Sequence, residues 1–231
     1  MLDELKHAVC EANLQLVREG LVLGTFGNAS GIDAERRHVV IKPSGVSYDG
    51  MTPEQMVVVS LETGEVVEGT LNPSSDTPTH VELYRSFREV GGIVHTHSIY
   101  ATAWAQARKE VPCLGTTHAD YFRGPIPCTR LLRPEETETD YEARTGRVIV
   151  EHFRRIDPLA CPGVLVAAHG PFAWGRTPAD AVHSALIMEH LARLAAETLA
   201  LNPNARPLPD HLLNRHFLRK HGPDATYGQK D

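Results

Sequence analysis

Ile93-Val94-His95-Thr96-His97 and, more than seventy residues on, Val164-Leu165-Val166-Ala167-Ala168-His169 are the stretches from which the architecture of this chain is read. Both are short, apolar, β-branched runs that end in histidine, the pattern of buried strands. Side chains two apart in a strand share a face, so His95 and His97 are expected side by side. A fold that lays the two strands together adds His169 as a third nitrogen. Three protein ligands with an open position is the layout of a catalytic divalent-metal site. The chain has thirteen histidines, so unconnected imidazoles are the competing reading, and the His-x-His spacing alone does not decide between them.

Outward from these runs the period alternates between strand and helix. Leu2, Leu5, Val9, Ala12 and Leu16 recur at helical spacing and predict an opening helix that ends near Gly20. Val39-Val40-Ile41 and Val57-Val58-Val59 predict strands. Thr77-Pro78 predicts a helix start with a capping hydroxyl, reaching Tyr84 to Phe87, and Ser98 a cap for a short helix through Trp104. Arg133-Pro134-Glu135-Glu136 opens a charged helix expected to be interrupted around Gly146. Thr177-Pro178-Ala179-Asp180 begins the clearest helix, with Ala181, Ala185, Met188, Ala192 and Ala195 on one face. After an extended, proline-rich stretch from Asn202 to Pro209, His211 to Lys220 predicts a final polar helix. The interleaving argues for one α/β domain, residues 1–231, around a central sheet.

Composition narrows the function. A net charge of −6 without any basic run argues against a nucleic-acid partner. No apolar stretch approaches the roughly 20 residues a bilayer requires, and Met1-Leu2-Asp3-Glu4-Leu5-Lys6 lacks a signal-peptide pattern, so no membrane partner and a cytoplasmic location are expected. Cys10, Cys113, Cys128 and Cys161 have neither zinc-knuckle nor disulfide spacing and read as reduced packing residues.

Three small-residue stretches read as loops suited to phosphate: Gly27-Asn28-Ala29-Ser30, Lys42-Pro43-Ser44-Gly45 and Pro73-Ser74-Ser75-Asp76-Thr77. Glycine lets backbone approach an anion, and hydroxyls, amides and free N–H groups are what its oxygens need. Neither the P-loop nor the dinucleotide fingerprint is present, so a small sugar phosphate fits better than a nucleotide. Asp76 is a candidate fourth ligand or outer carboxylate. Thr116 to Phe122, bounded by Gly115 and Gly124, reads as a loop carrying Asp120.

Taken together, these loops with His95-Thr96-His97-Ser98 and Ala168-His169-Gly170-Pro171-Phe172-Ala173-Trp174-Gly175 resemble the class II aldolase and epimerase superfamily. Within it, Gly115-Thr116-Thr117-His118-Ala119-Asp120-Tyr121-Phe122, Arg219-Lys220-His221-Gly222 and Tyr227-Gly228-Gln229 resemble the L-ribulose-5-phosphate 4-epimerases. The match runs from about Leu5 to Gln229. The resemblance implies a mainly antiparallel sheet flanked by helices. It implies one divalent ion per subunit, usually zinc with manganese or cobalt as alternatives, held by Asp76, His95, His97 and His169. Gly27, Asn28, Lys42, Ser44, Gly45, Ser74 and Ser75 would hold the substrate, and Asp120 and Tyr227 would be the paired acid and base, with Glu142 and His216 as further polar candidates. It further implies a homotetramer with interfacial active sites. The Ala167-Ala168 pair departs from the more polar residues expected in some relatives. A class II aldolase that releases its products, such as one acting on L-fuculose 1-phosphate, shares the metal and phosphate parts, whereas an adducin-like interaction domain would be expected to lack the histidines.

Overall fold

In the computed structural model, which describes residues 2–222 and 225–226, a single seven-stranded sheet forms the centre. Its strands are β1 (Asn28–Ile32), β2 (His38–Ile41), β3 (Val57–Ser60), β4 (Val66–Glu68), β5 (Gly92–His95), β6 (Gly163–Leu165) and β7 (Pro171–Gly175), in the order β4-β3-β2-β1-β5-β7-β6. Every neighbouring pair is antiparallel. The helices are α1 (Leu2–Arg18), α2 (Thr77–Ser86), α3 (Ile99–Ala107), α4 (Thr116–Ala119), α5 (Tyr141–His152), α6 (Pro178–Leu201) and α7 (Asp210–His221).

Alternation along the central strands explains why helices cover both faces. Ala29, Val94 and Ala173 point one way and pack on Ala12 and Leu16 of α1 and Ala181, Val182 and Ala185 of α6. Ile93, Phe172 and Trp174 point the other way, into the large cluster with Leu83, Tyr84 and Phe87 of α2 and Ile149 of α5. His95 shares the face of Ile93, so the sheet carries it towards the α2 and α5 side.

The opening helix, the two valine strands, the long alanine-faced helix and the final helix form where the sequence predicts them. Thr177 caps α6 by accepting from the Asp180 backbone N–H at 3.1 Å. Other expectations are corrected. Asn28-Ala29-Ser30 is no loop but the start of β1, paired with β5 from Asn28 and with β2 from Ser30, because small residues tolerate burial under two helices as readily as they make turns. The run before His169 is a strand only through Leu165, and β7 lies between it and β5. The two histidine-ended strands are therefore not neighbours. Thr116 begins α4 rather than a loop. Pro134–Glu136 is a separate short 3-10 turn, and Gly146 sits inside an unbroken α5. A Cβ at Gly146 would stand 2.7 Å from Glu82 Cβ and 3.1 Å from the Thr79 carbonyl, so this glycine permits close contact between α5 and α2.

Two caps also differ from expectation. The Thr77 hydroxyl donates to the Ser74 carbonyl at 2.6 Å instead of capping α2. Ser98 stands at the N-cap of α3 without a side-chain cap, and Glu189 of α6 accepts the Tyr100 and Ala101 N–H groups, each at 2.9 Å. An acid brought in by tertiary packing thus satisfies the donors that a local hydroxyl was expected to meet.

Candidate active site

The strand register builds the site. Asn28 lies opposite His95 on β5, and His95 lies opposite Phe172 on β7, which sets three side chains in a row across three central strands. The Phe172 ring stacks on His95 with centroids 4.2 Å apart and planes at 17°. His97 lies just past the end of β5. His169 sits in the tight turn from β6 to β7, where Ala168 takes a left-handed conformation at φ 62°, a strained state for a residue with a Cβ.

Among the described residues, the ligand atoms of His95, His97 and His169 lie within 4.8 Å of one another. The ring centroids are 4.8–5.2 Å apart. His95 is buried, and burial presses its pKa down to about 3, so it is neutral at working pH. Its Nδ1 faces the Pro171 carbonyl at 2.9 Å and carries the proton there, which leaves Nε2 with a lone pair directed at His97 Nε2, 3.0 Å away. Converging imidazole nitrogens of this kind, one with its tautomer set by a backbone carbonyl, suit a shared divalent cation. The donor set therefore fits a metal, and His95, His97 and His169 are the residues that would hold it.

A chamber of about 420 Å³ opens over this cluster. Asp76 lines it from the end of the loop before α2 and receives a hydrogen bond from Asn28 Nδ2 at 2.7 Å. Burial acts to raise the Asp76 pKa, but neighbouring His95 and His80 and the Asn28 bond outweigh it, and the carboxyl stays below its ordinary range. Gly27, Asn28, Ser74 and Ser75 line the same chamber, as do Lys42, Ser44 and Gly45 from the loop after β2. Gly27 has φ 79°, and a Cβ there would stand 2.7 Å from Val22 Cγ1 and 3.0 Å from the His95 carbonyl, so the chain can turn this close to the cluster only with glycine.

Lys42 is 2% exposed. Its ammonium donates to the Val46 and Pro43 carbonyls at 2.8 and 3.2 Å and lies 4.7 Å from the centroid of the Tyr48 ring. Burial lowers its pKa. Two neutral carbonyls use two of the three N–H donors, and the positive charge borders the chamber beside two serine loops, an arrangement suited to an anion.

Asp120 is elsewhere. It follows α4 and does not line the chamber, and α7 encloses its carboxylate. Arg219 donates to both oxygens, through Nε at 3.1 Å and Nη2 at 2.8 Å, and His216 Nδ1 lies 3.1 Å from Oδ1. Burial acts to raise its pKa, yet the Arg219 and His216 contacts hold it below the ordinary carboxylate range. His216 thus belongs to the Asp120 cluster and not to the imidazole cluster. Glu142, by contrast, lines the chamber. Tyr227 lies outside the described residues.

Sequence reasoning missed Tyr141 and Phe26. Tyr141 lines the chamber at the first residue of α5, and the Phe26 ring stacks against His97 with centroids 6.2 Å apart. No motif marks either residue; only the paths of α5 and of the loop before β1 bring them in.

A family model described as Class II Aldolase and Adducin N-terminal domain matches residues 7–196. The chain belongs to this family. It is similar across nearly its whole length to curated relatives: L-ribulose-5-phosphate 4-epimerase UlaF of Salmonella paratyphi A and that of Salmonella typhi are each 55% identical to it, over 99% of this chain and all of theirs. Among solved structures, an L-fuculose 1-phosphate aldolase shares the fold of this class II aldolase-family chain with a TM-score of 0.78 at 23% identity, over 92% of this chain and 94% of its own. YgbL of Klebsiella pneumoniae, titled a putative aldolase/epimerase/decarboxylase, has a TM-score of 0.71 at 23% identity, over 93% and 98% of the two chains.

Proposed function

We propose that this chain is a metal-dependent L-ribulose-5-phosphate 4-epimerase that interconverts L-ribulose 5-phosphate and D-xylulose 5-phosphate. The observation that carries this reading is the 55% identity, end to end, with relatives named for that activity. The substrate's chemistry limits the route. Its carbonyl is at C2, so the hydrogen on C4 is not acidic and simple deprotonation cannot invert that centre. Cleavage of C3–C4 by retro-aldol chemistry, rotation of the freed aldehyde and re-addition to its other face invert it without any redox cofactor.

A divalent ion held by His95, His97 and His169, with Asp76 beside them, would supply Lewis acidity where negative charge develops on cleavage. Zinc is the ion we assign, although imidazole and carboxylate also accept manganese and cobalt. Lys42 supplies fixed positive charge for the phosphate, and Ser44, Gly45, Ser74 and Ser75 supply hydroxyl and backbone donors around it. Gly27 and Asn28 complete that wall. This grip keeps the phosphorylated aldehyde in place while it rotates, since its release would turn an epimerase into an aldolase.

Inversion also requires one group to take a proton from the C4 oxygen and another to return one on the opposite face. We assign these roles to Asp120 and Tyr227. Arg219 and His216 hold Asp120 as a carboxylate, unprotonated and so open to a proton, and make it a weak base. Because it does not line the chamber of its own chain, the reading places the pair at a neighbouring subunit's chamber in a homotetramer. The enzyme works in the cytoplasm in this reading; among the described residues no helix is long and apolar enough to cross a membrane.

The test is turnover of L-ribulose 5-phosphate by purified protein before and after chelation, with free glycolaldehyde phosphate followed in the same samples. Metal-dependent epimerisation without aldehyde release is expected. Accumulating aldehyde would make the protein an aldolase, and absence of turnover with any divalent ion would remove the activity altogether.

A further inference from the structure

A histidine that binds a cation through one ring nitrogen needs a partner at the other, which sets the tautomer and holds the ring. For His95 that partner is the Pro171 carbonyl. For His169 the group facing Nδ1 is the Tyr141 hydroxyl, 3.5 Å away, with the two rings at 31°. With Nδ1 turned to Tyr141, Nε2 is the nitrogen left to face His95 and His97.

We propose that Tyr141 is a positioning residue for His169: its oxygen accepts the Nδ1–H and holds Nε2 towards the imidazole cluster. The distance is long for a hydrogen bond, and contacts of this kind tighten when a site is loaded. A phenol oxygen can accept the His169 Nδ1–H and keep its own O–H for the chamber.

Tyr141 is placed by a rigid support. Its carbonyl accepts from Thr145 Oγ1 at 2.9 Å, and the next carbonyl, Glu142, accepts from Thr79 Oγ1 of α2 at 2.6 Å. One turn on, Gly146 lets α5 close on Thr79 and Glu82. Asp76 immediately precedes α2, so this clamp between two helices fixes the start of α5, and Tyr141 with it, relative to Asp76. Asp140, with φ 54°, turns the chain into α5 at this point, a conformation that aspartate adopts more readily than most residues. Neither the ladder of the sheet nor the core requires a phenol here; phenylalanine would fill the same space.

The inference rests on reading the imidazole cluster as a metal site, and the test separates the two. Metal-free wild type and Tyr141→Phe are titrated with Co(II), following the visible absorption bands and competing with a chelator of known affinity. The variant is expected to keep the circular dichroism of the wild type, to bind Co(II) about ten- to a hundredfold more weakly, and to show a changed absorption spectrum. A variant whose affinity and spectrum superimpose on the wild type overturns the positioning role, because phenylalanine preserves packing and removes only the oxygen. Wild-type protein that takes up no Co(II) overturns the metal reading and this inference with it.

Discussion

Replacing His118 by glutamine tests whether buried neutral imidazoles set the acid limit of this fold. His118 is 4% exposed, its Nε2 lies 2.9 Å from the Gly124 carbonyl, and burial brings its pKa down from 6.5 to about 4. The unfolded chain takes up a proton near the ordinary value, whereas the folded chain does so only near 4. Between those values the unfolded state binds more protons, so stability is lost as pH falls through this window and levels off below it. At about pH 5 the cost is about 2 kcal/mol for this residue. His80, also held at about 4, and His95, at about 3, are governed by the same burial. Their loss between about pH 7.5 and pH 5 has the same sign as that of His118. Glutamine places an amide N–H near the Nε2 position and cannot titrate. Urea unfolding of metal-free protein at fixed concentration, at both pH values, should show the stability difference between them narrowed by about 2 kcal/mol in His118→Gln. An unchanged difference would refute the argument, since His118 would then contribute nothing to the acid sensitivity.

Gly146→Ala should lose about 1–2 kcal/mol in urea melts, because overpacking against Glu82 and Thr79 exceeds the roughly 1 kcal/mol that alanine gains in helix propensity; a stabilised variant would show that α2 and α5 yield freely. Glu189→Ala strips the cap from α3 and should cost about 1–2 kcal/mol, with amide exchange of Tyr100 and Ala101 accelerated; full protection at those two amides would mean that Glu189 is not the cap. His97→Ala should come through purification without bound metal, as read by elemental analysis, and one equivalent of metal retained per chain would remove His97 from the ligand set.

Periodicity and local chemistry alone determined much of this protein. The apolar stripe of α1, the β-branched runs of β2 and β3 and the alanine face of α6 are each encoded within about twenty residues, and local burial demands produce them in almost any context. The histidine-ended runs and the Lys42, Ser74 and Ser75 loops were legible for the same reason: the chemistry is carried by residue types next to one another in the chain. Tertiary structure decided how they meet. Strand order puts β7 between β5 and β6, so His169 reaches its partners from a turn and not from a neighbouring strand. Asn28 reads as a loop residue by composition, yet β1 pairs on both sides and sets it opposite His95. Glu189 caps a helix eighty-eight residues before it, and Tyr141 enters the chamber only because Gly146 lets α5 close on α2. No local pattern encodes such contacts, since they depend on which faces the packed sheet and helices present to one another.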